Sequence, residues 1–526
     1  MKTISGKQLK EEWKKFWESR QHVWLPEAPL IGGKESTAMF NIAGMQQLIP
    51  YLSGQAHPLG KRLFNIQKCI RTVDIDEVGD ASHCTFFEMM GNRSLGDYFK
   101  KEAVQRSWEF LTEVLGFEQE KLAATVFEGD KEVAEDTETI GYRKNAGLDE
   151  QRICTMTAKD NRRSPGPVGP CGPCTEIYYW VGTTKLPPKG STPKTDEANW
   201  LEVRNNVFME YYRDESGKLT KLKNRNVDTG MGFERMCKVL QQKESAYETD
   251  VFASLLAIIT DYVGLPYAGN ERRYRIIADH LRTSFFMMRD GIAPSNEGRG
   301  YVLRRLIRRM YYNMMLLKEV DSKTLPAFLK NIVKELTVLF DLTGNFDQVI
   351  ALLEKEVTQF QKTISNGQKL LQDIIKSSKK KTISGADAFK LYDTFGFPVE
   401  LTKEIAMEVK CTVDEIGFAK EMGAQQQRSR AGSKNMFTQD VDRSKYIIDL
   451  PATKFVGYDT MKADKTKLLK DFEVGGQRIL VFDQTPFYAE SGGQISDSGI
   501  VVLDSGDQLH IKEVKKYEGV FLHFVQ

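Results

Sequence analysis

Leu9, Trp13, Phe16 and Trp17 recur at helical spacing, so the chain opens on an amphipathic helix. Further on, Ile66, Ile70 and Val73 frame Arg71. An acidic stretch of Asp74, Asp76, Glu77 and Asp80, turned by Gly79, leads through His83 to Phe86 and Phe87. Two short runs around a charged turn predict a strand–loop–strand hairpin. Val104, Trp108, Leu111 and Leu115 return to helical spacing, closed by Gly116. Val203, Asn205, Val207, Met209 and Tyr211 alternate, which predicts a strand with one buried face. Helical periodicity takes over from about 250, with long helices expected over 328–375 and again over 386–430. From 467 the period becomes that of strands: RILVF, GIVVL, LHIKEV.

At 526 residues the chain exceeds a single core. The fold class expected is α+β, in three parts: an antiparallel sheet flanked by helices over 1–248, a helical domain over 249–445, and a small β-barrel-like unit over 446–526. Pro187–Glu197 reads as a surface loop, KSSKKKT (376–382) as a basic hinge, and 429–442 as a polar linker.

Net charge is only +2, so any nucleic-acid contact must come from local patches. No apolar run reaches the roughly 18 residues of a membrane span, and the N-terminal MKTISGKQLKEEWKKFW reads as a helix start, not a signal peptide. No membrane partner is expected. Seven scattered cysteines, an odd number, imply free thiols and a reducing, cytoplasmic setting.

Several clusters carry candidate chemistry. An arginine on one strand and an aromatic ring on its return can grip a phosphate or carboxylate and stack a base. The same pair also reads as core packing with a surface ion pair. Ala43-Gly44-Met45 offers small residues where a ligand approaches, or a plain tight turn. Cys171 and Cys174 form a lone C-x-x-C without the second pair that zinc needs, so a rigid loop wall is preferred to a metal site. Glu202 and Asn205 at a strand start suit Mg²⁺ or a ribose hydroxyl, or simple solvation. In NVDTGMGFERM, Gly230 and Gly232 let the backbone run close to a ligand, and Arg235 follows at a helix start. Leu303, Leu306, Ile307 and Met310 share one helical face and Arg304, Arg305, Arg308 and Arg309 the other. Four arginines beside the loop Pro294–Gly298 have the electrostatic footprint expected for an RNA backbone.

Arg71, His83-x-x-x-Phe87, MGN and GDYFKKEA resemble motif 2 of the class II aminoacyl-tRNA synthetases, and NVDTGMGFERM resembles their motif 3. TFFEMMGN, GPCGPCTEI, LYDTFGFP and TPFYAESGGQ are similar to the alanyl-tRNA synthetase family in particular. The resemblance implies ATP-dependent activation of alanine and its transfer to tRNA(Ala). By it, Arg71 holds the α-phosphate and the alanine carboxylate, Arg235 the γ-phosphate, and Asp228 the ammonium. Phe87 stacks on adenine; His83, Glu202, Asn205, Gly230 and Gly232 complete the ATP site, with Mg²⁺ through Glu202. Met45, Arg163, Asn205 and Gly230 border the alanine. Asn296 and Asp393, with Arg304, Arg305, Arg308 and Arg309, contact the tRNA acceptor stem.

Two departures from the family stand out. Its editing domain carries a zinc centre with an HxxxH helix, yet the six histidines here include no i, i+4 pair, so no zinc is expected in these residues. The chain is accordingly expected to be either a fragment or a short synthetase. The resemblance also implies tryptophan or another aromatic at Arg93, Arg163 and Arg204, and at Arg143 and Arg162. Buried arginines there would cost several kcal/mol each unless paired. The resulting expectation is a gene in which an arginine codon is read as tryptophan. With the arginines real, the alternative is an impaired paralogue that binds tRNA without charging it.

Overall fold

The computed structural model describes residues 1–31, 39–164, 166, 168–296, 298–377, 381–432, 450–457, 460, 462–464, 466–474, 477–489, 496–503, 506–517 and 519–526. Parts of the expected hinge, of the polar linker and of TPFYAESGGQ lie outside them. The chain forms two compact units, Met1–Gln426 and Gln427–Gln526.

The first unit is built on nine strands: β1 (Val23–Trp24), β2 (Arg62–Ile70), β3 (Phe86–Leu95), β4 (Leu122–Phe127), β5 (Ile153–Met156), β6 (Arg162–Arg163), β7 (Gly169–Trp180), β8 (Trp200–Arg213) and β9 (Leu219–Gly232). Their order is β1-β2-β3-β9-β8-β7-β4-β5, with β6 on β7. The central pairings are antiparallel and the outermost, β1 on β2 and β4 on β5, are parallel, so the sheet is mixed. The predicted hairpin is β2–β3, in register with Ile70 opposite Phe86 and Cys69 opposite Phe87.

Helices follow the apolar periodicity: α1 (Gly6–Glu18), α2 (Lys100–Glu109), α3 (Thr137–Asn145), α4 (Phe233–Leu240), α5 (Ala253–Val263), α6 (Glu271–Arg289), α7 (Gly298–Leu317), α8 (Leu325–Leu339), α9 (Asp347–Ser377), α10 (Gly385–Phe395) and α11 (Val399–Glu408). Ser5 caps α1 in a reciprocal box with Gln8, and the buried face is the predicted Leu9, Trp13, Phe16 and Trp17. One apolar core runs from Leu9 through the sheet into the later helices. Phe86 of β3 stacks on Phe286 of α6 at 4.3 Å between centroids.

Two expectations are corrected. β8 does not have a single buried face: Val203, Arg204, Asn206, Val207, Phe208 and Met209 are all buried, because a central strand is covered by helices on one side and the site's loops on the other. GPCGPCTEIYYW is strand β7, not a loop wall, with an irregularity between Cys171 and Cys174. Gly172 is required there, since a Cβ would lie 1.8 Å from the Phe208 carbonyl oxygen.

The second unit holds an antiparallel sheet ordered Leu468–Val474, Gln477–Phe482, Val520–Val525, Gln508–Tyr517, Gly499–Val502. Among the described residues this sheet carries apolar clusters on both of its faces.

Candidate active site

Met45, Arg71, His83, Phe87, Arg163, Glu202, Asn205, Asp228, Gly230, Gly232 and Arg235, singled out from separate stretches of sequence, all line one cavity of about 530 Å³. Sheet register brings them together. Arg71 follows the end of β2 and Phe87 sits opposite Cys69, so the guanidinium lies over the ring at 4.8 Å. Arg71 Nε donates to the Ile42 carbonyl at 3.3 Å. Asn205 of β8 faces Gly230 of β9. Arg235, in the first turn of α4, donates from Nη1 to Glu202 Oε2 at 3.2 Å. His83 Nδ1 lies 2.6 Å from Asp80 Oδ2 in an exposed pair. At Gly230 a Cβ would meet Met89 Sδ at 3.0 Å, so the methionine would have to shift; at Gly232 it would make only an ordinary 3.7 Å contact.

Asp228 is held differently from the expectation. Its carboxylate, 2 % exposed, already accepts from Arg93 Nε at 2.9 Å across the β3–β9 register. Burial pushes its carboxyl up against the pull of Arg93. Arg93 Nη2 has no partner and presses on Gly44, where a Cβ would lie 1.9 Å away. The small residue of Ala43-Gly44-Met45 therefore makes room for a guanidinium.

Two acids were not singled out from sequence. Glu234, on the wall beside Arg235, accepts from the Glu88 N–H and pairs with Arg282 of α6. Glu176 of β7 accepts from Arg163 Nη2 at 2.8 Å, Asn205 Nδ2 at 2.7 Å and the Tyr178 hydroxyl at 2.6 Å. Their membership in GFERM and GPCGPCTEI was the available signal. Burial first, then the charge of Glu202, pushes the Glu176 carboxyl up to about 7 against Arg163. A folded-state value above the ordinary 4.5 means the buried charge costs stability once it forms. Stability is therefore expected to fall as pH rises from about 4.5 to about 7 on this account. Glu176→Gln should flatten that portion of a urea-unfolding pH series.

The five arginines expected to stand at aromatic positions divide into two groups. Arg162 and Arg163 pair with Asp130 and Glu176, and Arg93 with Asp228. Arg143 and Arg204 are 0 % and 1 % exposed, and among the described residues neither pairs with a carboxylate. Arg143 donates only to Thr175 Oγ1, from Nε at 3.2 Å and Nη2 at 3.1 Å, leaving Nη1 orphaned. Arg204 donates to Ser107 Oγ at 2.9 Å, Asn92 Oδ1 at 2.5 Å and Thr229 Oγ1 at 3.1 Å, against the rings of Trp13 and Trp17. Burial pushes both guanidinium pKa values down to about 9, and the charge of Arg204 adds to the effect on Arg143.

The basic face of α7 is also corrected. Leu303, Leu306, Ile307 and Met310 are buried as predicted, but the four arginines do not form an open patch. Arg304 and Arg308 pair with Glu356 of α9, Arg305 with Asp76, and Arg309 with Glu404 of α11. Arg308 and Arg309 are 8 % and 3 % exposed. The acids that neutralise them come from distant segments, which a local reading of charge cannot see. Asn296 Oδ1 accepts from Arg304 at the start of α7, and Asp393 lies near the end of α10. The rings of Tyr301 and Tyr392 stand 6.5 Å apart, so these two ends are neighbours.

Among the described residues no helix is long and apolar enough to cross a membrane. An alanine–tRNA ligase of Prochlorococcus marinus is 39 % identical over 540 residues, 99 % of this chain and 59 % of that protein. One from Thermotoga maritima is 40 % identical over 544 residues, covering 100 % of this chain and 62 % of the relative. One from Hydrogenovibrio crunogenus is 38 % identical over 537 residues, 99 % and 60 % respectively. The chain thus spans about three fifths of the length of the curated relatives it matches. The family described as class II tRNA synthetases (A) matches residues 8–526, and with motif-2 and motif-3 arginines opening on one cavity over an antiparallel floor, the chain belongs to the class II aminoacyl-tRNA synthetases.

Proposed function

We propose that this chain activates alanine with ATP, forming alanyl-adenylate and pyrophosphate, and passes the alanine to the 3′ end of tRNA(Ala). The observation that carries the reading is the convergence of Arg71 and Arg235 on a single cavity beside Phe87. An alanine carboxylate oxygen attacks the α-phosphorus, and the bond to the bridging oxygen breaks to release pyrophosphate. The nucleophile is already anionic, so no side-chain base is needed; rate comes from alignment and fixed positive charge. Arg71 takes the α-phosphate and the carboxylate, Arg235 the γ-phosphate, and Phe87 the adenine. Glu202, paired with Arg235 in the ligand-free site, would hold Mg²⁺, which would supply charge neutralisation at the phosphates when bound. The ammonium falls to Asp228, which must then share its carboxylate with Arg93.

The reading keeps three parts: 1–248 for aminoacylation, 249–445 for tRNA recognition, and 446–526 as the β-rich start of an editing-type domain. Asn296 and Asp393 would meet the acceptor stem in its shallow minor groove, where short polar side chains reach base edges. The adjacency of Tyr301 and Tyr392 supports this pairing. ATP–pyrophosphate exchange that depends on alanine, and not on leucine, tests the reading. Exchange without amino-acid dependence would overturn it.

The same reading includes tryptophan in the native chain at 143 and 204. What supports it is the absence of a counter-charge for either guanidinium among the described residues. Tryptic peptides of protein from its native host are expected to run uncut through 143 and 204, with the tryptophan residue mass. Cleavage after both positions removes the idea.

A further inference from the structure

Between β2 and β3 the chain makes a loop, 71–85, that supplies Arg71, Thr72, Val73, Asp74, Ser82, His83 and Cys84 to the cavity wall. This loop has little secondary structure of its own beyond a short turn at Thr72–Asp74. Backbone groups in a loop are fixed only if something else satisfies them. Here the partners come from helices far along the chain. Arg309 of α7, 3 % exposed, donates from Nη1 to the Ile75 carbonyl at 2.9 Å and from Nη2 to the Val78 carbonyl at 3.3 Å. Ile75 and Val78 are themselves buried. The guanidinium is braced from behind by Glu404 of α11, at 2.6 and 3.0 Å.

A second path starts from the same group. Arg309 Nη1 lies 3.0 Å from His280 Nε2, His280 Nδ1 lies 2.8 Å from Asp279 Oδ2, and Asp279 Oδ1 accepts from the Thr85 N–H at 2.8 Å. Loop entry and loop exit are thus tied to one buried network. A planar fork with several fixed donors can hold two carbonyls and a carboxylate at once, which an ammonium cannot do in the same geometry. Burial works against the charge of Glu404, but the hydrogen bond and charge of Arg309, with Arg272, outweigh it and hold the carboxyl at about 2. The brace therefore stays charged through the neutral range.

We propose that Arg309 is a positioning residue: it clamps the β2–β3 loop against the helices and so sets the wall on which the nucleotide binds. The functional part rests on the synthetase reading above; the structural part does not. Its guanidinium is committed to the loop and does not face solvent, so the arginine that sequence periodicity offered to RNA serves the cavity instead.

Arg309→Ala, Arg309→Lys and the paired change Arg309→Met with Glu404→Leu test it. Amide hydrogen exchange on the ligand-free protein should show residues 75–85 losing protection in all three, with β3 and β9 unchanged. In alanine-dependent exchange, KM for ATP should rise while kcat falls much less, with about 10²-fold lost in kcat/KM. The paired change removes both buried charges, so it separates clamping from charge balance. If it restores wild-type loop protection or wild-type KM for ATP, the clamp is refuted. Lysine matching arginine refutes it too. Should Arg309→Ala unfold the unit, the lysine variant and the paired change decide. If the unsubstituted protein shows no exchange activity, the synthetase reading fails while hydrogen exchange still decides the clamp.

Discussion

Arg71→Ala is expected to remove alanine-dependent ATP–pyrophosphate exchange without unfolding the protein. Its guanidinium makes one hydrogen bond to a backbone carbonyl, at 3.3 Å, and stands over the Phe87 ring at 4.8 Å. No carboxylate among the described residues pairs with it, so nothing buried is left unmatched when it goes. Stability should change by no more than about 0.5 kcal/mol. The chemistry should suffer far more, since charge grows at the α-phosphate as the bond to pyrophosphate lengthens. Loss of one fixed donor aimed at such charge costs about a hundred- to a thousand-fold in rate, roughly 3–4 kcal/mol. Arg71→Lys should recover little, because an ammonium cannot bridge phosphate and carboxylate as a planar fork does. Wild-type exchange in Arg71→Ala would end the assignment of this residue. Arg235→Ala is its companion, with the added consequence that Glu202 loses its cation.

Arg204→Trp is expected to stabilise the recombinant chain, and Arg143→Trp to add to it. Both guanidiniums are buried without a counter-charge, close enough for the charge of one to depress the pKa of the other. Replacing even a paired buried charge with well-packed apolar volume can gain about 1–4 kcal/mol, and these two charges lack that pairing. An indole at 204 would lie among the rings of Trp13 and Trp17, with Ser107 Oγ available to its N–H. At 143 the Thr175 hydroxyl plays the same part. The midpoint of urea unfolding should rise for each variant, and Arg204→Lys should lower it because the charge stays while hydrogen bonds are lost. A lower midpoint for Arg204→Trp would mean that three hydrogen bonds outweigh desolvation.

The folded-state positions of these arginines also explain an asymmetry in the site. Arg93, Arg163 and Arg162 each meet an acid, whereas among the described residues Arg143 and Arg204 meet hydroxyl, amide, thioether and aromatic groups. The first three can be retained as ion pairs. Arg93 does so by taking the Asp228 carboxylate, the group to which the proposed function assigns an ammonium.

Local chemistry was legible from the chain alone. The hairpin bearing Arg71 and Phe87, the glycine-spaced run ending at Arg235, and the apolar faces of α1 and α7 follow from residue spacing, because each depends on neighbours a few positions away. That spacing, together with the family resemblance, named the eleven residues that now share a cavity. What the chain alone left open was every partner supplied from afar. The acids facing α7 lie at 76, 356, 400 and 404, and Asp228 meets Arg93 only through the β3–β9 register. β8 alternates like a half-exposed strand, yet both its faces are covered. Charge and burial are properties of the space around a side chain, and only the tertiary structure fixes that space.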